Sequence, residues 1–232
     1  FVYAQVVGIK SPVYDPALLA SGRFNAALAG VTEINFSEVR NTLLAMQPEI
    51  THYPRSQQAH YWYYLALSSW KLGLLSEQVI PNIEKSLSLS DSLDDYALFQ
   101  ILMNAKDMAR DYVHFYHAIN YIDRIRQIVG EIPGSKVTLI PSPVDAIYAI
   151  AHYEIGENNK AIGYLNRLIS LTEMAGDKPV RYWFQVLSSA QEHTGDIEGA
   201  IKTLKKQISF YPHQNSSHYL EILQSTVTKT SN

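Results

Sequence analysis

The chain has 232 residues, of which 47% are hydrophobic and 18% are charged, so it can bury a substantial core and does not have the composition of a disordered protein. Its formal net charge is −3 and its basic residues are scattered in pairs such as Lys205-Lys206, which argues against nucleic acid as a partner. No apolar run reaches the roughly 18 residues of a membrane span, and the absence of cysteine excludes disulfides and thiolate sites.

The amino-terminal residues 1–15 are predicted to form an extension ahead of the folded part. In Phe1-Val2-Tyr3-Ala4-Gln5, a β-branched and a small residue stand two positions apart, as they do at the end of secretory cleavage sites. The alternative is a frayed terminus. We expect a periplasmic or otherwise exported protein, and a cytoplasmic protein is the alternative.

Residues 16–49 form the first predicted helical hairpin. Val39, Leu43 and Met46 recur at helical spacing, and Phe36-Ser37 is the expected turn. This hairpin is assigned from its length and its apolar spacing, because it has no glycine at the turn.

The second predicted hairpin covers residues 59–91. Trp62 and Leu65-Ala66 provide the large and small positions of its first helix, and Gly73 marks its turn. Proline has no N–H to continue a helix, so Pro81 predicts either a late start or a kink of the second helix.

The third predicted hairpin covers residues 92–129. Ala118 and Ile122 hold the small and large positions of its second helix, but the turn glycine is again missing. Proline and glycine residues then bound a predicted loop at 130–141, which is longer than the connections within repeats and interrupts the array.

The fourth predicted hairpin covers residues 142–172 and opens with Ser142-Pro143, a helix cap followed by proline at the first helical position. Gly156, Ala161 and Leu165 follow at its turn, small and large positions. The same three residue types recur 39 residues later, so the fourth and fifth hairpins are interpreted as copies of one unit.

The fifth predicted hairpin, 181–214, has the clearest pattern. Its large, small, turn and helix-stop positions are Phe184, Leu187, Ser188, Gly195, Ala200, Leu204 and Pro212. Small residues let two helix backbones approach where they cross, and Gly195 permits the positive φ that ends the first helix. Asp196 is the expected cap of the second helix, and residues 226–232 are expected to form a flexible tail.

This spacing resembles the tetratricopeptide-repeat (TPR) family, most specifically over 181–214 and also over 59–91 and 142–172. The resemblance implies an all-α, right-handed superhelical solenoid of about five helix-turn-helix hairpins over residues 16–225. It also implies a concave groove, lined by the first helix of each hairpin, that binds a peptide or a partner helix. The stretch 182–212 is similar to bacterial periplasmic TPR proteins associated with TonB energy-transduction systems.

The groove positions of the family, carried onto this sequence, give the expected partner-binding residues. They are His60, Tyr63, Trp70, Lys71, Asp107, Arg110, Tyr153, Tyr182, Gln185 and His193. Four consecutive aromatic residues, Tyr61-Trp62-Tyr63-Tyr64, cannot all face one side of a helix, so at least one ring is expected to point away from the hairpin core. The alternative is that these rings pack against a neighbouring repeat, and that Asp107 and Arg110 are ordinary surface charges.

Catalytic motifs are absent from the sequence, including phosphate-binding loops, dinucleotide fingerprints, nucleophile elbows and zinc helices. His114 and His117 stand three apart on a predicted helix, but no third ligand accompanies them. We therefore predict no enzyme, no catalytic residue, no cofactor and no metal site.

The function predicted from the sequence is that of a scaffold or adaptor that binds a peptide or partner protein, as a periplasmic component of a TonB-type envelope system. Two alternatives stay open. One is a self-assembling structural repeat protein, in which the aromatic run forms a homodimer interface. The other is a helical small-ligand receptor or enzyme that uses the solenoid interior or the 130–141 loop.

Overall fold

The structure is a computed structural model that describes residues 35–131, 143–212 and 214–230. Over these residues it contains ten α-helices and no strand, which confirms the all-α repeat fold. The helices are α1 Phe36–Met46, α2 Arg55–Lys71, α3 Ser76–Leu87, α4 Asp95–Asp111, α5 Phe115–Glu131, α6 Pro143–Glu154, α7 Asn158–Met174, α8 Arg181–His193, α9 Ile197–Phe210 and α10 Gln214–Thr230. Short 3-10 helices at Gln47–His52 and Ser90–Ser92 follow α1 and α3.

Several predicted segments fall at the edges of this description. The extension 1–15 and residues 132–141 of the predicted loop lie outside the described residues, whereas residues 130 and 131 end α5. Residues 226–230, predicted as part of a tail, continue α10. Its buried Leu223 packs with Ala200 and Leu204 of α9, which extends the array beyond the last predicted hairpin.

The chain divides into two compact units, one ending at Tyr112 and the other beginning at Val113. In the first unit α2 packs on both α1 and α3, and α3 packs on α4. In the second unit each helix from α5 to α10 packs on the next one in the chain. Contacts between neighbours in sequence are what a helical repeat requires, because each helix buries its apolar side on the helix before and the helix after it.

The α8–α9 hairpin has the packing that its sequence predicts. Ser188 and Ala200, the small positions, are buried together with the large residue Phe184. Gly195 ends α8 with a φ of +81°, and the side chain of Asp196 accepts a hydrogen bond from the backbone N–H of Gly199 at 2.9 Å. The small residues, the turn and the cap thus act together to set this helix pair.

The position of the missing turn glycine is occupied by Val113, which lies five residues before Ala118 just as Gly195 lies five before Ala200. Val113 has a φ of +64°, a conformation that is rare for a β-branched residue and costs about 1–2 kcal/mol. Val113 therefore adopts the left-handed conformation of the turn position even though the sequence does not supply a glycine there.

Helix α3 begins at Ser76 and continues through Pro81. Of the two alternatives predicted for this proline, a late start of the helix or a kink, the late start is therefore wrong. Val79 and Ile83 on either side of Pro81 are fully buried, whereas Pro81 itself is exposed. Packing of the apolar side holds the helix together despite the missing N–H on its solvent side.

A polar and aromatic cluster joins α5, α6 and α7 in the second unit. His152 of α6 is only 2% exposed; its ring lies edge-on to Tyr148 at 4.4 Å and stacks on Tyr164 at 5.9 Å between centroids. Arg126 of α5 lies over the Tyr148 ring at 3.9 Å and forms an ion pair with Asp145 at 2.8 Å. The cluster ties three successive helices together through side chains that the repeat pattern does not specify.

The burial of His152 lowers its pKa, and this effect outweighs the raising effect of Glu157, whose Oε2 lies 2.5 Å from Nδ1. The other ring nitrogen, Nε2, is buried without a hydrogen-bond partner among the described residues, so a charged imidazolium would be poorly solvated. Tyr148 and Tyr164, Lys160, and more distantly Asp123, are the other titratable groups around the ring.

This arrangement predicts that the fold loses stability in acid. The unfolded chain binds a proton at His152 near pH 6.5, and the folded chain does so only at lower pH, so the free energy of unfolding falls as the pH decreases from about 6.5. His152→Gln removes this titration. Urea unfolding at about pH 7.5 and about pH 5.5 should therefore show a smaller loss of stability in the variant than in the wild type.

His218→Gln is the matched control, because His218 is an exposed histidine of the same unit that lies 3.8 Å from Glu221. The stability of His218→Gln should depend on pH in nearly the same way as that of the wild type. An unchanged pH dependence in His152→Gln would show that His152 is not the titrating group.

Candidate functional site

The aromatic run of α2 is buried in the core of the first unit. All nine residues from Tyr61 to Ser69 are buried, including the four consecutive aromatic rings. The Tyr61 hydroxyl donates a hydrogen bond to the backbone carbonyl of Leu43 at 2.9 Å, which anchors α2 to α1. At least one of these rings was expected to point away from the hairpin core, but none of them is exposed. Their burial favours the alternative that the rings pack against neighbouring helices.

Tyr63 and His60, two of the expected binding residues, are bonded within the fold. Tyr63 is 8% exposed, its pKa is raised by burial, and its hydroxyl accepts a hydrogen bond from Nδ2 of Asn104 on α4 at 3.0 Å. His60 is half-buried, its Nδ1 lies 2.8 Å from the carbonyl of Ser56, and burial lowers its pKa. Both side chains therefore contribute to packing and to helix contacts.

Four more expected residues meet at the carboxyl ends of α2 and α4. The indole N–H of Trp70 donates to Asp111 at 3.1 Å, and Lys71 lies 3.9 Å from the centre of the Trp70 ring. Arg110 forms ion pairs with Asp111 at 2.8 Å and with Asp107 at 3.2 Å. Asp111, which the sequence analysis did not select, joins Trp70 to Arg110. The guanidinium of Arg110 is thus paired with carboxylates of its own helix.

The expected residues of the second unit lie on a more open surface. Tyr153 of α6 and His193 of α8 meet edge to face, with ring centroids 6.0 Å apart. Tyr182 of α8 is 47% exposed. Its pKa is raised by partial burial first and then by nearby Glu154 and Tyr153. Gln185 is also exposed on α8.

Helix α10 adds a third tyrosine to this surface. The hydroxyl of Tyr219, which is 38% exposed, lies 2.7 and 2.6 Å from the two carboxylate oxygens of Glu192 and donates its hydrogen bond to them. Burial, the hydrogen bond to Glu192 and the charge of Tyr153 raise the pKa of Tyr219 to about 12. We call this surface the tyrosine face and define it as Tyr153, Glu154, Tyr182, Glu192, His193 and Tyr219.

Tyr219 was missed because no hairpin was predicted beyond residue 214. A signal for it was present in the sequence: Ser216, Leu220 and Leu223 recur at helical spacing, and they are buried or half-buried on one side of α10. Tyr219 stands three residues after Ser216 and four before Leu223, so it lies at the edge of that side, and its hydroxyl reaches Glu192 of α8.

The described residues contain no group of three or more side chains that could hold a metal ion. The rings of His114 and His117 contact each other at 5.6 Å, and Ser68 donates its hydroxyl hydrogen bond to the carbonyl of Leu65. Among the helices of this part of the chain, none has both the length and the apolar composition needed to cross a bilayer. That the chain has no catalytic activity and no cofactor stays a prediction.

A cavity of about 330 Å³ lies where the first 3-10 helix leads into α2. Its lining residues are Glu49, His52, Tyr53, Pro54 and Gln57. The side-chain amide of Gln57 is buried there and has no hydrogen-bond partner among the described residues. This cavity is the feature on which the small-ligand alternative would depend.

No protein-family model matches the chain, and no curated protein matches it. Solved structures do match. MamA protein superposes with a TM-score of 0.54 at 16% identity, covering 81% of this chain and 88% of MamA. The nearly identical TPR-like repeats of a Podosopora anserina putative kinesin light chain give a TM-score of 0.53 at 14% identity, covering 85% of this chain and 96% of theirs. A single-residue variant of those repeats gives 0.52 at 13% identity, covering 92% and 98%.

At these identities the comparisons establish the fold alone. The chain folds like solved TPR-like repeat arrays, which agrees with the resemblance found in the sequence. The link to TonB systems, the partner and the site residues are not tested by this likeness and remain predictions.

Burial separates two classes of tyrosine that the sequence analysis treated alike. We expect Tyr63→Ala to lower the free energy of unfolding by about 3 kcal/mol or more, because it opens a cavity and removes one of the two hydrogen bonds that the Asn104 amide donates. Tyr182→Ala should cost less than about 1 kcal/mol, because its side chain is half-exposed. Urea unfolding of both variants measures the difference. Equal losses would contradict the assignment of Tyr63 to packing and Tyr182 to the surface.

Proposed function

We propose that this chain is a protein–protein interaction module and that it binds a peptide or an extended segment of a partner on the tyrosine face. The observation that carries the proposal is the presence of partly exposed tyrosines on three helices, α6, α8 and α10, of which Tyr153 contacts His193 of α8 and Tyr219 is bonded to Glu192 of α8. Tyrosine rings provide large contact area at low entropic cost, and they are enriched among the residues that dominate binding energy.

The tyrosine face differs from the rest of the molecule's aromatic surface in how its rings are held. Tyr219 is fixed by its bond to Glu192, and Tyr153 is fixed by its contact with His193. The rings are therefore oriented before a partner arrives, which lowers the entropy lost on binding. Helices α6 and α8 support them as part of one packed core that contains Ala149 and Phe184.

A short segment suits this surface better than a large folded domain. The face runs across α6, α8 and α10, which are alternate helices of the array, and such surfaces accommodate extended chains or single helices whose side chains reach successive repeats. Self-assembly through the aromatic run is less well supported, because the run is buried in the first unit.

We further propose that the protein acts in the bacterial periplasm as a component of a TonB-type envelope system. The support for this is the similarity of residues 182–212 to the periplasmic proteins of those systems, together with a cysteine-free composition that is compatible with an oxidising compartment. Fractionation of the native cell tests it: recovery with periplasmic markers is expected, and recovery with cytoplasmic markers would contradict it.

The proposed binding face is tested by peptide selection on the full chain. Peptides selected from a random library would be measured by fluorescence anisotropy against the wild type and Tyr182→Ala. We expect Tyr182→Ala to weaken binding by about tenfold to thirtyfold, because it removes a central aromatic contact.

The matched control is Tyr116→Ala. Tyr116 is 71% exposed in the same unit, but it lies on α5, which contributes no residue to the tyrosine face. Binding should be unchanged in this variant. If Tyr116→Ala weakens binding as much as Tyr182→Ala, or if Tyr182→Ala binds normally while remaining folded, the binding surface lies elsewhere.

A further inference from the structure

The charge of the tyrosine face is entirely negative at neutral pH. Glu154 and Glu192 provide two carboxylates, and none of the six residues that define the face is lysine or arginine. The pKa values of Tyr182 and Tyr219 are both raised, in part by these carboxylates, so the phenols stay protonated and the negative charge stays on the two glutamates.

The two carboxylates are not neutralised by cations of the described residues. Within that part of the chain, the Glu192 carboxylate accepts a hydrogen bond from Tyr219 only, and the Glu154 carboxylate has no hydrogen bond or ion pair. Some other carboxylates of the second unit are paired with cations, as Glu157 is with Lys160 and Glu173 with Lys206. The tyrosine face combines two carboxylates that have no such pair with exposed aromatic rings.

Several aromatic rings elsewhere in the described structure are covered by cations of the same chain. Such pairs are Lys71 over Trp70 at 3.9 Å, Lys85 over Trp62 at 3.7 Å, Arg126 over Tyr148 at 3.9 Å and Lys178 over Tyr211 at 3.7 Å. The three tyrosines of the face have carboxylates beside them and no such cation among the residues that the structure describes. A cation on a ring face is favourable, and more so where a carboxylate lies next to the ring.

We propose that the segment bound on the tyrosine face is basic, and that a lysine or arginine side chain of the partner lies between Glu154 and Glu192 against the tyrosine rings. This inference rests on the proposed function and specifies its ligand. Charge complementarity selects the occupant, since an acidic segment would bring like charges together and a purely apolar one would leave Glu154 desolvated without a partner.

Three labelled peptides of equal length and equal apolar pattern test the inference on the full chain. Their polar positions are all Lys and Arg, all Gln, or all Glu, and fluorescence anisotropy gives each Kd. We expect the basic peptide to bind about tenfold more tightly than the neutral one, and the acidic peptide to bind most weakly. The advantage of the basic peptide should shrink when NaCl is raised from about 0.05 M to about 0.5 M, because salt screens exposed charges.

Substitution of one carboxylate makes the test specific to the site. Glu154→Gln should weaken binding of the basic peptide by about fivefold, and the loss for the neutral peptide should be smaller. Glu198→Gln is the control with the same change of charge, because Glu198 is exposed on α9, which contributes nothing to the face. Its affinity for the basic peptide should match that of the wild type.

The outcomes distinguish failure of this inference from failure of the proposed function. If the three peptides bind equally, or if Glu154→Gln and Glu198→Gln have the same effect, the basic ligand is wrong, and a loss on Tyr182→Ala would still support the face as a binding surface. If no peptide binds, or if Tyr182→Ala changes nothing, both fail. The inference would be overturned in favour of self-association if the measured mass of the protein rises with its concentration and a second copy of the chain competes with the basic peptide.

Discussion

Some helices of this protein are buried on one side and others on all sides. This difference decides which side chains can contact a partner. Helix α8 buries Phe184, Leu187 and Ala190 on one side and leaves Tyr182 and His193 exposed on the other. The buried side fixes the helix, so the exposed side presents its residues in a defined arrangement. Helix α2 is buried continuously from Tyr61 to Ser69, and its aromatic residues stabilise the first unit.

The same distinction explains why similar residues have different roles in the two units. Tyr63 is buried and bonded to Asn104, whereas Tyr182 is half-exposed beside Glu154. In the first unit, the charges of Asp107, Arg110 and Asp111 neutralise one another. In the second unit, the carboxylates of the tyrosine face have no cation beside them among the described residues, so this surface has charge and ring area left for a ligand.

Much of the fold follows from local pattern. The small residues Ser188 and Ala200, the turn at Gly195 and the cap at Asp196 each have a short-range cause, so the sequence alone was enough to predict the α8–α9 hairpin. The left-handed conformation of Val113 could not be predicted in this way, because it is disfavoured by the β-branched side chain of that residue. Helix α10 has periodic apolar residues, but no hairpin was predicted beyond residue 214, where this helix begins.

The site was harder to predict than the fold, because groove positions carried over from a family do not report burial. His60, Tyr63 and Tyr182 occupy comparable positions in the pattern, and only the packing of neighbouring helices determines which is exposed. The pairing of Tyr219 with Glu192 joins residues 27 apart on different helices, so it depends on how α10 packs beside α8. Long-range contacts of this kind are set by the assembled fold.

The central claim is that the tyrosine face is where a partner binds, and hydrogen–deuterium exchange of the full chain with and without a selected peptide tests it most directly. The account predicts slower amide exchange in α6, α8 and α10 when the peptide is bound, and little change in α2 and α4. Protection confined to α2 and α4, with none in α6, α8 and α10, would contradict it.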